Sequence, residues 1–168
     1  MTQSPFANDA YLNQILAKAV AAKASDVHLK VGQPPGARVR GEMVYFRLDP
    51  IQPADTEALA RILVRRPEAI ARIDDLTEYD TSYGVQGLGR FRVNLYKQRG
   101  SFAAVLRNIP PIIPTFDDIR APLACKDLSE RSQGLVLVVG ASGSGKSTTL
   151  ASMVGYMNAN FPLHIVTI

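Results

Sequence analysis

The chain has 168 residues, 46% of them hydrophobic and 20% charged, with a formal net charge of +4 and a single cysteine, Cys125. That composition is globular, and one cysteine excludes an internal disulfide framework. No apolar run nears the ~20 residues of a membrane-spanning helix, and the start MTQSPFANDAYL has neither the basic nor the apolar segment of a secretory leader, so the expectation is a soluble cytoplasmic protein.

The first element is a helix capped by Asn8 or Asp9, with Tyr11, Leu12, Ile15, Leu16, Ala19 and Val20 on one stripe. DVHLKV then alternates, Val27, Leu29 and Val31 facing one way and His28 and Lys30 the other, which is the pattern of a half-buried strand. GQPPG is a turn, and ARVRGEMVYF reads as a returning strand bent at Gly41. Two helices follow, ADTEALARILV and PEAIARI, the second opened by Pro67 at its first turn. TSYGV, GRFRVNLYKQ and GSFAAVLRNI, separated by glycines, complete a sheet of antiparallel strands. In the middle one Arg90, Arg92 and Asn94 oppose Phe91, Val93 and Leu95, while in the last Arg107 shares its parity with Ala103, Val105 and Ile109.

Four of the 11 prolines then fall between Pro110 and Pro122, which marks a linker that ends in a short amphipathic piece, LACKDLSERS. GLVLVVG is an unbroken apolar run of the kind buried on both faces in a parallel sheet. A helix STTLASMVGYMNAN and a second apolar strand, LHIVTI, come after it.

Charge is uneven. Of the 19 basic residues 13 are arginine, and no acidic residue lies between Asp80 and Asp117, where Arg90, Arg92, Lys97, Arg99 and Arg107 are found. Such a stretch favours an anionic partner, either nucleic acid or nucleotide phosphate. Against nucleic acid, only Phe91, Tyr96 and Phe102 are placed to stack on bases, and Phe91 faces the core. Neither His28 nor His164 has a second ligand at metal-binding spacing.

Residues 140 to 147, GASGSGKS, satisfy the G-x-x-x-x-G-K-[ST] pattern between an apolar strand and a helix. The chemistry assigns each position. Gly140, Ser142, Gly143, Ser144 and Gly145 form a loop whose N–H groups turn to phosphate oxygens, and the N-terminus of the following helix adds partial positive charge. Lys146 reaches the β- and γ-phosphates, Ser147 ligates Mg²⁺, and Thr148 completes the first helical turn. ATP and Mg²⁺ are therefore the expected ligands. Hydrolysis also needs an acid on a later strand, and no Asp or Glu follows Glu130, so no catalytic residue is assigned. A P-loop preceded by most of the chain does not suit a small-molecule kinase, in which that loop comes first.

The order SDVHLKVGQPPGARVRGEM, GRFRVNLYKQRGSFAAVLRNIPPIIPTFDDI and GLVLVVGASGSGKSTTLASMVGYMNANFPLHIVTI resembles the type IV pilus retraction motors (PilT/PilU type) of the secretion-type ATPases, from about Tyr11 to Ile168. The resemblance implies an α/β chain with three parts: an α+β PAS-like N-terminal domain over 1–109, a proline-rich linker over 110–133, and the start of a RecA-like P-loop ATPase domain over 134–168. It also implies a homo-oligomeric, hexameric ring in the cytoplasm, peripheral to the inner membrane at the pilus base, working on a pilus inner-membrane platform protein and not on nucleic acid. Arg92 and Arg107 match the arginines that approach the nucleotide in such rings. An acidic partner within the domain, or solvent, is the other reading of those two side chains. The family's acidic motifs are not found after HIVTI, and two parallel strands cannot cover their own apolar surface. The chain is thus expected to be an N-terminal piece of a motor that powers pilus retraction and twitching motility. The alternative is a short non-catalytic module that modulates full-length motor rings.

Overall fold

The computed structural model describes residues 4–110, 112–141 and 143–167. The chain divides into two compact units, Met1–Pro110 and Pro111–Ile168.

In the first unit, helix α1 (Asp9–Ala21) starts where Asn8 Oδ1 accepts the Ala10 N–H at 3.0 Å, and its buried stripe is Leu12, Ile15, Leu16 and Ala19. That cap satisfies one of the free donors at the helix start. Strands β1 (Ala24–Lys30), β2 (Gly36–Val39) and β3 (Glu42–Tyr45) follow, then α2 (Pro53–Leu63), α3 (Pro67–Ala71), β4 (Glu78–Val85), β5 (Gly89–Gln98) and β6 (Ser101–Ile109). The six strands form one sheet in the order β3-β2-β1-β6-β5-β4, and every adjacent pair is antiparallel.

Alternation decides the two faces of this sheet. Val27, Leu106 and Val93 lie in one cross-strand row, Leu29, Ala104 and Leu95 in the next, and all are buried. Helices α1 and α2 pack on this side, adding Leu12, Leu16, Leu59 and Leu63 to the core. Tyr83 ties β4 to α1 by donating its hydroxyl to Asn13 Oδ1 at 2.8 Å. Ser4 and Asp55 join the N-terminal 3-10 turn (Pro5–Ala7) to the start of α2 at 2.6 Å, and the other Asp55 oxygen accepts the Gln52 N–H at 2.8 Å. The opposite face is polar, with Asp26, His28, Arg38, Arg92, Asn94 and Arg107.

One expectation is corrected here. ARVRGEMVYF is two strands, because Arg40 (φ 51°) and Gly41 (φ 89°) are both left-handed and Val39 pairs with Glu42. Two successive residues of positive φ reverse the chain in the tight turn suited to hairpins, where glycine carries no steric cost. Arg99 (φ 53°) and Gly100 (φ 80°) do the same between β5 and β6.

The second unit contains α4 (Ala124–Ser129) and α5 (Lys146–Asn160), which pack on each other. Residues read as linker contribute to that packing. The buried Ser152 hydroxyl lies 2.7 Å from the Pro114 carbonyl, the Phe116 ring is 5.3 Å from that of Tyr156, and Tyr156 donates to Glu130 Oε1 at 2.6 Å. The apolar runs at 134–140 and 163–167, expected as buried parallel strands, join no sheet among the described residues. Leu135, Leu137 and Val139 are 83%, 74% and 87% exposed. A strand is held by a ladder partner and a parallel pair by helices on both faces; apolar composition alone supplies neither.

Leu106 is fully buried at the centre of the sheet, whereas Val44 on the β3 edge is half exposed. Leu106→Ala is expected to cost about 2–5 kcal/mol and Val44→Ala less than about 0.5 kcal/mol. Urea unfolding followed by far-ultraviolet circular dichroism measures both, and similar midpoints for the two variants would contradict this placement of the core.

Candidate nucleotide-binding site

The sequence-predicted phosphate loop runs into the N-terminus of α5, with Gly145 (φ 91°) at the cap and Lys146 as the first helical residue. Gly143 (φ 77°) is also left-handed. A side chain at either position would be strained, so these glycines permit a path that L-residues rarely follow. At Gly140 a Cβ would lie 2.7 Å from Ser144 Oγ, a contact that rotation of the Ser144 hydroxyl relieves. The Ser144 N–H bonds back to the Ala141 carbonyl at 3.2 Å, and Lys146 Nζ donates to the same carbonyl at 2.7 Å. Ser147 and Thr148 are exposed on the first turn of α5. Ser142 lies outside the described residues.

This arrangement suits a phosphate. The first N–H groups of a helix have no intrahelical acceptor and carry the positive end of its dipole. Lys146 rests against a neutral carbonyl, a weaker acceptor than a phosphate oxygen. Among the described residues no three of His, Cys, Asp and Glu gather as a metal site. Glu130, the last acid in the sequence, already accepts the Tyr156 hydroxyl.

The two predicted arginines sit in the first unit, directly opposite each other on β5 and β6. Arg92 and Arg107, with Asp80, Asn94 and Val105, line a cavity of about 360 Å³ on the polar face of the sheet. A larger cavity, about 920 Å³, lies beside the N-terminal turn among Phe6, Tyr11, Arg47 and Ile51 and holds none of the predicted site residues.

Arg107 departs from the expectation of an arginine among apolar neighbours. Its Nε donates to Asp26 Oδ1 at 2.9 Å, so the acidic partner within the domain is present. Asp26 is 7% exposed and stands between Arg107 on β6 and Arg38 on β2. Its other oxygen, Oδ2, accepts the Ser25 hydroxyl at 2.8 Å and lies 3.9 Å from Arg38 Nε. Burial works to raise the Asp26 carboxyl. The hydrogen bonds from Arg107 and Ser25, with the charges of Arg107 and His28, outweigh it and hold the group below its ordinary value. Arg92 has no acidic partner within 4.0 Å among the described residues. Sequence reading missed Asp26 and Arg38 as members of this cluster. The only trace is parity, since Asp26 shares a strand face with His28 and Lys30.

The family described as "Type II/IV secretion system protein" matches residues 120–168. Over 157 residues the chain is 37% identical to the type IV pilus retraction ATPase PilT of Pseudomonas aeruginosa, covering 94% of this chain and 45% of that protein. It is a homologue of the PilT/PilU-type type IV pilus ATPases. The type IV pilus ATPase PilU of the same organism is 35% identical, over 86% of this chain and 37% of its own length. The crystal structure of the pilus retraction motor PilT with bound ADP superposes with a TM-score of 0.76 at 37% identity, over 94% of this chain and 44% of that one. The ATPase DotB of Legionella pneumophila gives 0.71 at 25% identity, over 94% and 43%. The mixed α/β fold of the PilT/PilU-type homologue is therefore that of these ATPases, and the chain spans less than half the length of the relatives it matches. No helix among the described residues is long and apolar enough to cross a membrane.

His28 gives the cluster a pH dependence. Its Nε2 is buried without a partner. Burial first and the Arg38 charge second lower its pKa from the ordinary 6.5, while Asp26 opposes the shift and Lys30 adds to it. A histidine depressed in the folded state takes up its proton first in the unfolded chain, so stability falls as pH drops below about 6.5 and levels off below the folded value. Asp26, also depressed, contributes above its ordinary 3.8 and loses that contribution as pH falls further. Thermal melts between pH 7.5 and pH 5 are expected to show a decline that flattens in His28→Gln, and an unchanged decline in that variant would assign it to other groups.

Proposed function

We propose that this chain is the nucleotide-binding part of a type IV pilus retraction motor subunit. The observation that carries the reading is the glycine loop at the start of α5, where Gly143 and Gly145 adopt positive φ and Lys146 lies over the Ala141 carbonyl. Homology over 94% of the chain to a retraction ATPase supports the same reading.

In this reading Gly140, Ser142, Gly143, Ser144 and Gly145 shape the loop, and its N–H groups and those of Lys146, Ser147 and Thr148 bind phosphate oxygens. Lys146 exchanges a carbonyl for a phosphate, and the Ser147 hydroxyl is the protein ligand of Mg²⁺. Bound ATP with Mg²⁺ supplies the phosphoanhydride whose hydrolysis drives the motor. Arg92 and Arg107 add cationic contacts to the nucleotide. The reading concerns binding, which is what the loop and the first turn of α5 are shaped for. The subunit acts in the cytoplasm as part of a homo-oligomeric, hexameric ring, peripheral to the inner membrane at the pilus base and engaged with a platform protein.

Titration with a fluorescent ATP analogue in MgCl₂ tests the site. Lys146→Ala removes a charge-assisted contact and is expected to weaken binding roughly 10- to 100-fold. Equal affinities for the two chains would remove the loop from the function.

A further inference from the structure

We propose that Asp26 is a positioning residue for Arg107, gripping the guanidinium through Nε so that its two terminal amines are left for a phosphate beside Arg92. The inference rests on the nucleotide-binding reading above.

First, the Asp26–Arg107 hydrogen bond runs from Nε at 2.9 Å, and the Arg107 side chain is 71% exposed while that of Asp26 is 9% exposed. A guanidinium presents five N–H donors in a rigid fork, so a carboxylate that takes Nε fixes the plane of the group without consuming its outer edge. Second, Asp26 is itself held. Ser25 and Arg38 stand at its second oxygen, and it is paired across the sheet with Arg38 on one side and Arg107 on the other. A buried acid between two cations costs less to keep charged than to leave unpaired. Third, Arg92 is the cross-strand neighbour of Arg107 on the same face. Two adjacent arginines repel unless an anion lies between or beside them, and Asp26 neutralises Arg107 from the neighbouring strand β1, on the side away from Arg92, while both arginines remain accessible to an anion.

Lysine separates positioning from charge. Arg107→Lys keeps the positive charge but offers one ammonium, which can serve the carboxylate or the phosphate and not the outer edge of a fixed plane.

The test is affinity of the whole chain for a fluorescent ATP analogue in MgCl₂, with folding of each variant checked by circular dichroism. Arg107→Ala and Asp26→Asn are each expected to weaken binding by about tenfold. The double variant should be no weaker than either single one, since both remove the same contact. Arg107→Lys should lose as much as Arg107→Ala. Wild-type affinity in folded Asp26→Asn, alongside a loss in Arg107→Ala, would overturn the positioning role and leave the nucleotide site standing. Wild-type affinity in Arg107→Lys would overturn it too, and that variant decides the matter if Asp26→Asn does not fold. An unaffected Arg107→Ala beside a weakened Lys146→Ala removes Arg107, and with it Asp26, from the site. If Lys146→Ala is unaffected as well, the nucleotide reading itself falls.

Discussion

The β1–β6 ladder is the constraint on which the first unit depends. It brings residues 26 to 30 against residues 103 to 107, and so closes the sheet between a hairpin near the start of the unit and a pair of strands at its end. On one side of this ladder Val27 and Leu106 are buried beneath the helices. On the other side, one residue along each strand, Asp26 meets Arg107. A slip of β1 by one residue would turn that strand over, placing the Asp26 carboxylate on the core side and Val27 and Leu29 in water. Hydrophobic burial and ion pairing therefore demand the same register.

The ion pair is better understood as a device for arrangement than for stability. Desolvating a carboxylate is costly, and apolar replacements for buried pairs are often as stable. What an apolar replacement would not do is orient a guanidinium. The contrast with Arg92 makes the point, since both arginines lie on the same face of neighbouring strands and only Arg107 is anchored by an acid among the described residues. The phosphate loop shows the same economy in another form. Its orientation comes from backbone conformation at Gly143 and Gly145 and from the first turn of α5.

Much of the first unit was legible because amphipathic strands declare their faces. The alternation in DVHLKV and GRFRVNLYKQ places Val27, Leu29, Phe91, Val93 and Leu95 inside, as found. The stripe of α1 was readable for the same reason. The turn at Arg40 and Gly41 was not, since an Arg-Gly pair lacks the Asn or Asp that usually marks such reversals. The runs GLVLVV and LHIVTI show the limit of composition, which states a preference for burial but not the surface that provides it. At the site, the loop was visible as a local pattern of glycines ending in Lys146. Asp26 was hidden, because its partner is 81 residues away and only the assembled sheet makes them neighbours.

The apolar segment at 135–139 has the composition of a strand without a strand's partner. Leu135, Leu137 and Val139 are exposed and carry no charge between them, and the backbone there joins no ladder among the described residues. Short uncharged runs of this kind, without proline, are templates for pairing between chains. Such a run is satisfied by a strand that pairs with its backbone and by apolar cover on its faces.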